Sequence, residues 1–569
     1  MSERPNILVL MTDQQRADAM GCAGNPVLRT PAMDAIAASG VRFSNACAST
    51  PVCVASRMSF ITGHRASRTH WVDNSALPGP VPELPTVMSL LLRAGYWTHG
   101  VGKMHFGGRS YGFRNLLTME EGVAHRVDDD YLRYLRDAGV HARFPKGMRD
   151  LLYFQPQTSG VPVQHSASHW VADRSIEFLH EHARYRPEQP FFLWSSWIAP
   201  HPPFAPSEPY DDLIAAVGIS NTMYDPAAMP LPVYADRPVR DLPSALWPHR
   251  SRLDGAHRDP DRMRRIRALY YGLIGQVDDG IARIMAALRE LRLEQDTVVL
   301  FTADHGEMLG DHGLAQKNCP YEPSVRVPLL LRWPGRTRAG STCDDPVGLT
   351  DVLPTLVAEL GLDYPAGHGP LPGESLLGKA GGGLSSGRDD YVIDYGQGAR
   401  RWIAVRTRRH KYALFACDGG REELYDLHAD PHERHNLAAA QPALTAEFRE
   451  RALDWERTSG LARAPGDAAS FRGERFRTWP APAAIPTEGE LRDVTVNEGA
   501  WPKRVPADEA ATLESFAAAF TRAISKETTL SPDKLSLAAY KRKISRLGPR
   551  DPGGESLAGT PWEQAWYTS

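Results

Sequence analysis

The stretch "NILVLMTD", residues 6–13, decides how the rest of the chain is read. Five apolar side chains run without interruption from Ile7 to Met11, and Thr12 and Asp13 close the run. A strand with one wet face alternates apolar and polar residues. An unbroken apolar run describes a strand buried on both faces, as in a parallel sheet. The next segment, "TPAMDAIAASG" (30–40), has a helical pattern, with Thr30 as the expected N-cap, Pro31 at the first helical position and Gly40 at the end. The alternation then repeats. "LPTVMSLLLRAGY" leads as a helix into the strand "WTHGVGKMH", and "VADRSIEFLHEHA" leads into "PFFLWSSWIAPH". "DRMRRIRALYYGLIGQVDDGIARIMAALREL" leads into "DTVVLFTADHGE" in the same way. Such alternation predicts an α/β fold, an open sheet with helices on both faces. Ligands of such sheets collect beyond the C-terminal strand ends. Asp13, Lys103, His105, His201, Asp304 and His305 all fall at or just past a predicted strand C-terminus. One rim therefore gathers residues that are far apart in the chain.

The 569 residues are too many for one ordinary core, so a large domain with at least one smaller one is expected. A hydrophobic share of 42% and a charged share of 23% describe a soluble globular protein. A net charge of −3 gives no electrostatic ground for a nucleic-acid partner or an anionic membrane surface. Cys22, Cys47, Cys53, Cys319, Cys343 and Cys417 lack paired spacing, which indicates neither a disulfide framework nor a zinc site. The apolar run at the N-terminus is too short for a signal peptide or a membrane span, and the expected location is cytoplasmic. Texture changes near residue 375. "GKAGGGLSSGRDD" (378–390) reads as a linker, and "YVIDYG", "RWIAVRTRRHKYALF" and "EELYDLHADPHERHNL" read as short antiparallel strands. The expected division is 1–375, 376–460 and an irregular tail, 461–569.

Asp13, Asp304 and His305 combine two carboxylates with an imidazole, a donor set suited to Ca²⁺, Mg²⁺ or Mn²⁺. One Asp at a strand end is most simply a helix cap, but three such residues on one rim point to a cation. Gln14 offers a further neutral oxygen, with an exposed loop glutamine as the plain alternative. Cys53, in "TPVCVASRMSFITGHR" (50–65), has three candidate roles: a small buried hydrophobe, a thiolate nucleophile, or the precursor of something else. A thiolate phosphatase needs a longer, glycine-rich stretch before its arginine. Arg57 follows Cys53 by only four residues, with no glycine between. The segment from Arg57 to Gly63 patterns as a helix, so Cys53 is expected near a helix N-terminus, where an anionic ester is favoured. Lys103, His105, His201 and Lys317 form a cationic, proton-trading set, although any single histidine is more often structural. Lys317 lies in "DHGEMLGDHGLAQK" (304–317), read as a loop, in which His312 is taken as a supporting or surface residue.

These segments resemble the sulfatase family of the alkaline-phosphatase-like superfamily. "CVASRMSFITG" is similar to the family's C-x-P-S-R-x-x-[apolar]-[apolar]-T-G signature, "GKMH" to its G-K-x-H, and "FTADHGEMLGDHG" to its second metal segment. "HKYALF" and "ELYDLHADPHERHNL" are similar to its C-terminal motif. The resemblance runs from residue 5 to about 440. The pairs Asp13–Gln14 and Asp304–His305 look more like choline sulfatases and phosphonate monoester hydrolases than arylsulfatases, whereas Lys103 and His105 look sulfatase-like. Ala55 stands where the family usually has proline.

The resemblance implies a large mixed sheet sandwiched by helices, with a smaller C-terminal antiparallel subdomain. It implies a sulfuric ester hydrolase, arylsulfatase-like, whose Cys53 is oxidised to formylglycine by a maturation enzyme. It further implies one divalent metal, Ca²⁺ first and Mn²⁺ or Mg²⁺ otherwise, at Asp13, Gln14, residue 53, Asp304 and His305. The substrate is a small-molecule sulfate ester. Arg57, Lys103 and Lys317 would neutralise its non-bridging oxygens, His201 with Lys317 would protonate the leaving alkoxide, and His105 would take a proton from the nucleophile's second hydroxyl. Asn74, in "HWVDN", matches a substrate-contacting position. Two alternatives stay open: phosphonate monoesters or phosphodiesters at the same site, and an unconverted homologue that binds metal and anion without turnover.

Trp479, Trp501, Trp562, Trp566 and Tyr567 lie in the tail, outside the family's usual core. Exposed aromatic surface of that kind is costly for a monomer, so the expectation is a homo-oligomer, dimer or tetramer, with the tail crossing subunits. Removing residues 552–569 should lower the mass seen by light scattering. An unchanged mass, or a full-length monomer, would exclude the crossing tail.

Overall fold

The computed structural model describes residues 4–459 except 75, 77–80, 107–109, 121–128, 141–158, 208–223, 252, 254, 255, 379–387 and 397–399. The tail from 461 onward and most of the expected linker lie outside the described residues. The strands are β1 (Asn6–Asp13), β2 (Val41–Phe43), β3 (Ala46–Cys47), β4 (Trp97–Gly102), β5 (Asn115–Thr118), β6 (Phe191–Pro200) and β7 (Thr297–Ala303). They continue with β8 (Leu329–Arg332), β9 (Ser341–Cys343), β10 (Val347–Gly348), β11 (Asp390–Tyr395), β12 (Trp402–Thr407), β13 (His410–Phe415) and β14 (Glu422–Asp426).

Eight strands form one sheet in the order β5-β4-β6-β1-β7-β8-β2-β9. The first five run parallel. β8 is reversed against both of its neighbours, and β9 is parallel to β2. The sheet is therefore mixed, as the family resemblance implies. β1 lies between β6 and β7 and is buried along its whole length. Successive side chains of a strand point to opposite faces. Leu8 and Leu10 accordingly enter one core, with Leu193, Phe301 and the helices Pro31–Ser39, Ala167–Tyr185 and Pro260–Glu290. Ile7, Val9 and Met11 enter the other, with Phe192, Trp194 and the helices Cys53–Thr62, Val87–Arg93 and Val352–Leu360. Two cores explain why the run has no polar interruption.

Thr30 takes the expected N-cap position, and its carbonyl accepts from Asp34 N at 2.8 Å, but its hydroxyl does not cap the helix: it accepts from Gly21 N at 2.8 Å and donates to Asp34 at 3.0 Å. The N–H groups of Ala32 and Met33 donate instead to Asp278, at 3.0 and 2.9 Å. The helix start is buried against the helix Pro260–Glu290, so a carboxylate from that neighbour reaches the orphan donors first.

The strands β11 to β14 form a separate antiparallel sheet in sequence order. One face packs Tyr391, Ile393, Trp402 and Phe415 against Val52, Ala55, Met308 and Tyr321 of the larger body. The helix Pro442–Thr458 covers the other face with Phe448 and Ala452. The approach is close enough at β10 that a Cβ on Gly348 would lie 2.0 Å from the Tyr391 ring. Among the described residues no helix is long and apolar enough to cross a membrane.

Burial pushes the Asp278 carboxyl up from 3.8 to about 6, against the pull of its two backbone donors. The folded state thus takes up this proton more readily than the unfolded chain. The group's contribution is full below 3.8 and is lost as pH rises through about 6. Asp278→Asn should flatten that part of the profile of Tm against pH, removing a pH-dependent span of roughly 3 kcal/mol. Superimposable slopes would rule out Asp278 as the titrating group.

Candidate active site

The parallel strands β1, β4, β6 and β7 open their C-terminal ends on one edge. Asp13 ends β1, Lys103 follows β4, His201 follows β6, and Asp304 and His305 follow β7. The helix expected from Arg57 begins earlier, and Cys53 is its first residue. All ten residues of that helix, Cys53–Thr62, are buried. The sulfur therefore sits at the positive end of a helix dipole.

Potential ligand atoms of Asp13, Cys53, Asp304 and His305 all lie within 4.8 Å of one another, and all four residues are buried. Cys53 Sγ is 3.2 Å from His305 Nε2 and 4.0 Å from Asp13 Oδ1. His305 Nδ1 donates to the Gly306 carbonyl at 3.0 Å, which turns Nε2 toward the cluster. Asp304 Oδ1 accepts from Gln14 N at 3.1 Å and from His305 N at 3.0 Å. Lys103 Nζ contacts Asp13 Oδ2, and Lys317 Nζ donates to Gln14 Oε1. Lys317 Nζ is also 3.1 Å from His201 Nε2, whose ring donates through Nδ1 to Pro202 O at 2.6 Å. Lys317 is thus the donor and His201 Nε2 the acceptor of that pair.

Burial and the neighbouring Asp13 carboxylate raise the Asp304 carboxyl above its ordinary range. Burial also opposes ionisation of Asp13, but Lys103, His201 and His305 outweigh it and hold that group low. Burial opposes a thiolate at Cys53 too, yet Lys103, Lys317 and His305 pull the thiol well below its usual value, helped by a hydrogen bond from His105. Two carboxylates crowded in a dry site are unfavourable without a cation between them. The oxygen-rich set with one imidazole nitrogen turned inward fits a hard divalent ion.

Other expected residues take less obvious places. Arg57, expected to face the substrate anion, donates through Nε to Asp304 at 2.8 Å and through Nη1 to Lys103 O at 2.7 Å and Ser196 Oγ at 3.0 Å, while its buried Nη2 makes no hydrogen bond and lies 3.5 Å from Asp13 Oδ2. Asn74 Oδ1 accepts from Val54 N at 3.1 Å, capping the helix beside Cys53. Ala55 is fully buried against the C-terminal sheet. His312, expected to be supporting or on the surface, is buried. It stacks on Tyr321 at 4.4 Å and accepts from Arg237 at 3.0 Å, and burial lowers its titration to about 3. Gly310 and Gly313 let the loop turn its ring inward.

Two site residues escaped the sequence analysis. Ser196 interrupts the apolar run of β6, a visible signal, and is spent on Arg57. Glu307, inside the same "DHGE" that carries Asp304, is fully buried against Gln14 Nε2. Gln14, His105, Gln316 and Asn318 all have left-handed φ, at 66°, 59°, 68° and 71°. Non-glycine residues hold that conformation only where surroundings over-determine it, which is typical of functional sites.

The model of the family described as Sulfatase matches residues 5–362, and that of "N-sulphoglucosamine sulphohydrolase, C-terminal" matches residues 310–454. An arylsulfatase of Clostridium perfringens is 29% identical over 480 residues, 79% of this chain and 92% of the relative. A choline-sulfatase of Rhizobium meliloti is 29% identical over 472 residues, 80% and 87% of the two chains. Among solved structures, the phosphonate monoester hydrolase of Agrobacterium radiobacter superposes with a TM-score of 0.64 at 24% identity, over 80% of this chain and 96% of that one.

Proposed function

This chain belongs to the sulfatase family, and from that premise we propose that it hydrolyses a sulfate monoester with residue 53 as the source of the nucleophile. The observation that carries the proposal is the placement of Cys53 Sγ. It shares one buried cluster with Asp13, Asp304 and His305, at a helix N-terminus ringed by Lys103, Lys317 and Arg57.

A divalent cation, Ca²⁺ or else Mn²⁺ or Mg²⁺, would be held by Asp13, Gln14 Oε1, residue 53, Asp304 and His305 Nε2, and its charge favours the ionised form of a bound hydroxyl. Formylglycine in place of Cys53, once water has added to its aldehyde, would supply two hydroxyls on one carbon, one to attack sulfur and one to lose a proton as sulfate leaves and the aldehyde returns. The other residues work around these groups. Lys103 and Lys317 bring positive charge to the edge where the sulfate oxygens gain negative charge. Arg57 would add its charge there through the unbonded Nη2, while its Nε holds the Asp304 carboxylate, favouring the ionised form and fixing its aim. His201 and Lys317, 3.1 Å apart and sharing one proton between them, would together deliver it to the leaving oxygen. His105, whose side chain acts on that of Cys53, would take the proton whose loss frees sulfate. Asn74 keeps its amide nitrogen for the ester group while its oxygen caps the helix.

A second proposal, a phosphonate monoester or phosphodiester substrate, draws on the pairs Asp13–Gln14 and Asp304–His305 and on the same ring of cations. A panel of aryl sulfate, choline sulfate, a phosphonate monoester and a phosphodiester separates the two. No turnover of any sulfate ester by the metal-loaded enzyme would refute the main proposal. The mass spectrum of the peptide containing residue 53 should show the aldehyde in place of the thiol. An intact cysteine throughout would point to the non-catalytic homologue. Cys53→Ala should lower kcat by several orders of magnitude with Tm little changed, and activity near wild type would exclude residue 53 as the nucleophile. Exhaustive chelation should abolish turnover, and Ca²⁺ or Mn²⁺ should restore it. A full rate in protein shown to be metal-free by elemental analysis would exclude the metal site.

A further inference from the structure

Gln14 closes β1 in a left-handed conformation, with φ at 66°. Its backbone is clamped on both sides: N–H on Asp304 Oδ1 at 3.1 Å, and C=O accepting from Tyr270 Oη at 2.8 Å. Its side-chain amide has only one workable orientation. Glu307 Oε2 meets Nε2 and can only accept, while Lys317 Nζ meets Oε1 and can only donate. The carboxamide oxygen is therefore turned toward Lys317, a lysine that acts on Cys53 of the cluster, with a second lone pair to spare. Glu307 is fully buried, and its other oxygen is also an acceptor, taking Leu309 N at 2.9 Å and Gln316 N at 2.6 Å. Those two bonds hold the loop that ends in Lys317.

We propose that Glu307 is a positioning residue: it fixes the Gln14 amide with its oxygen toward the metal cluster and thereby sets the affinity of the site for its divalent ion. This rests on the metal site proposed above. Because both Glu307 oxygens accept, an amide of the same shape must turn its NH₂ either on the NH₂ of Gln14 or on two backbone N–H groups. Neither arrangement leaves Gln14 in place.

The test uses the full chain stripped of metal and titrated with Mn²⁺ alone, the free ion being followed by electron paramagnetic resonance. Glu307→Gln should weaken Mn²⁺ binding by about 10–100-fold, the usual effect of disturbing a group that orients a metal ligand. In a Gln14→Ala background the same change should alter affinity by less than about twofold, since its route to the ion is gone. A general effect on folding would weaken both backgrounds alike, and that result overturns the proposal. The exchange Gln14→Glu with Glu307→Gln reverses donor and acceptor while keeping an oxygen toward Leu309 N and Gln316 N. It should fold and bind Mn²⁺ at least about fivefold more tightly than Glu307→Gln alone. An exchanged protein that fails to fold, or that binds no better, overturns the proposal. Wild type that takes up no Mn²⁺ removes the metal site and this inference together. Wild type that binds, with Glu307→Gln binding equally well, removes this inference alone.

Discussion

The Asp304 carboxylate joins three parts of the chain that have no sequence proximity. One oxygen accepts the N–H groups of Gln14 and His305, and the other takes the Arg57 guanidinium from the Cys53 helix. Ser56 adds a bond from the same helix to the Asp304 carbonyl. All of this happens without solvent, where removing one member of a charge pair strands the other at a cost of about 3–5 kcal/mol. The end of β1, the end of β7 and the start of the helix are therefore locked as one unit. A sulfur placed there has little freedom to move relative to the carboxylates, which is what catalysis by positioning requires.

The locked unit needs support on its far side, and the C-terminal sheet supplies it. Trp402 donates from its indole to the Asn318 carbonyl at 3.0 Å, and the Asn318 side chain reaches Tyr395 at 2.9 Å. Lys317 is thus held between Gln316 and Asn318, two residues in left-handed conformation. Further along, Glu322 is bound by Arg406 and Lys411, and Glu433 accepts from Glu322 N at 2.7 Å. Such buried ionic contacts rarely add net stability over apolar packing, but they specify one docking geometry. The small sheet carries none of the proposed metal ligands and none of the proposed nucleophile. Its part is to hold the loop that carries the lysine.

The environment of the site follows from the sheet. Strands buried on both faces keep water away from their ends, so the few charges placed there act in a medium of low dielectric. Lys103 and Lys317 influence Cys53 strongly for that reason. The same burial makes Asp13 and Asp304 unfavourable neighbours, and the cations around them offset part of that cost.

Much of this was legible in the sequence alone. The unbroken run Ile7–Met11 determined a doubly covered central strand, because no polar side chain could face water from it. Helix–strand alternation determined the α/β class, and strand ends determined which polar residues share a rim. What only the tertiary structure decided were contacts whose partners lie far apart in the chain. Thr30 carried the local signal of an N-cap and takes that position, yet the first N–H groups of the helix go to Asp278, because the helix packed against it brings a carboxylate closer. His312 carried the look of a loop residue, yet it is buried in the packing around Tyr321 and Arg237. Glu307 gave no sign of its attachment to Gln14, since periodicity reports which face a residue takes and not which atom it meets. Burial and fold class are sums over many side chains and survive in the pattern of the sequence. A hydrogen bond depends on one distance between two atoms, and that distance exists only once the chain has closed on itself.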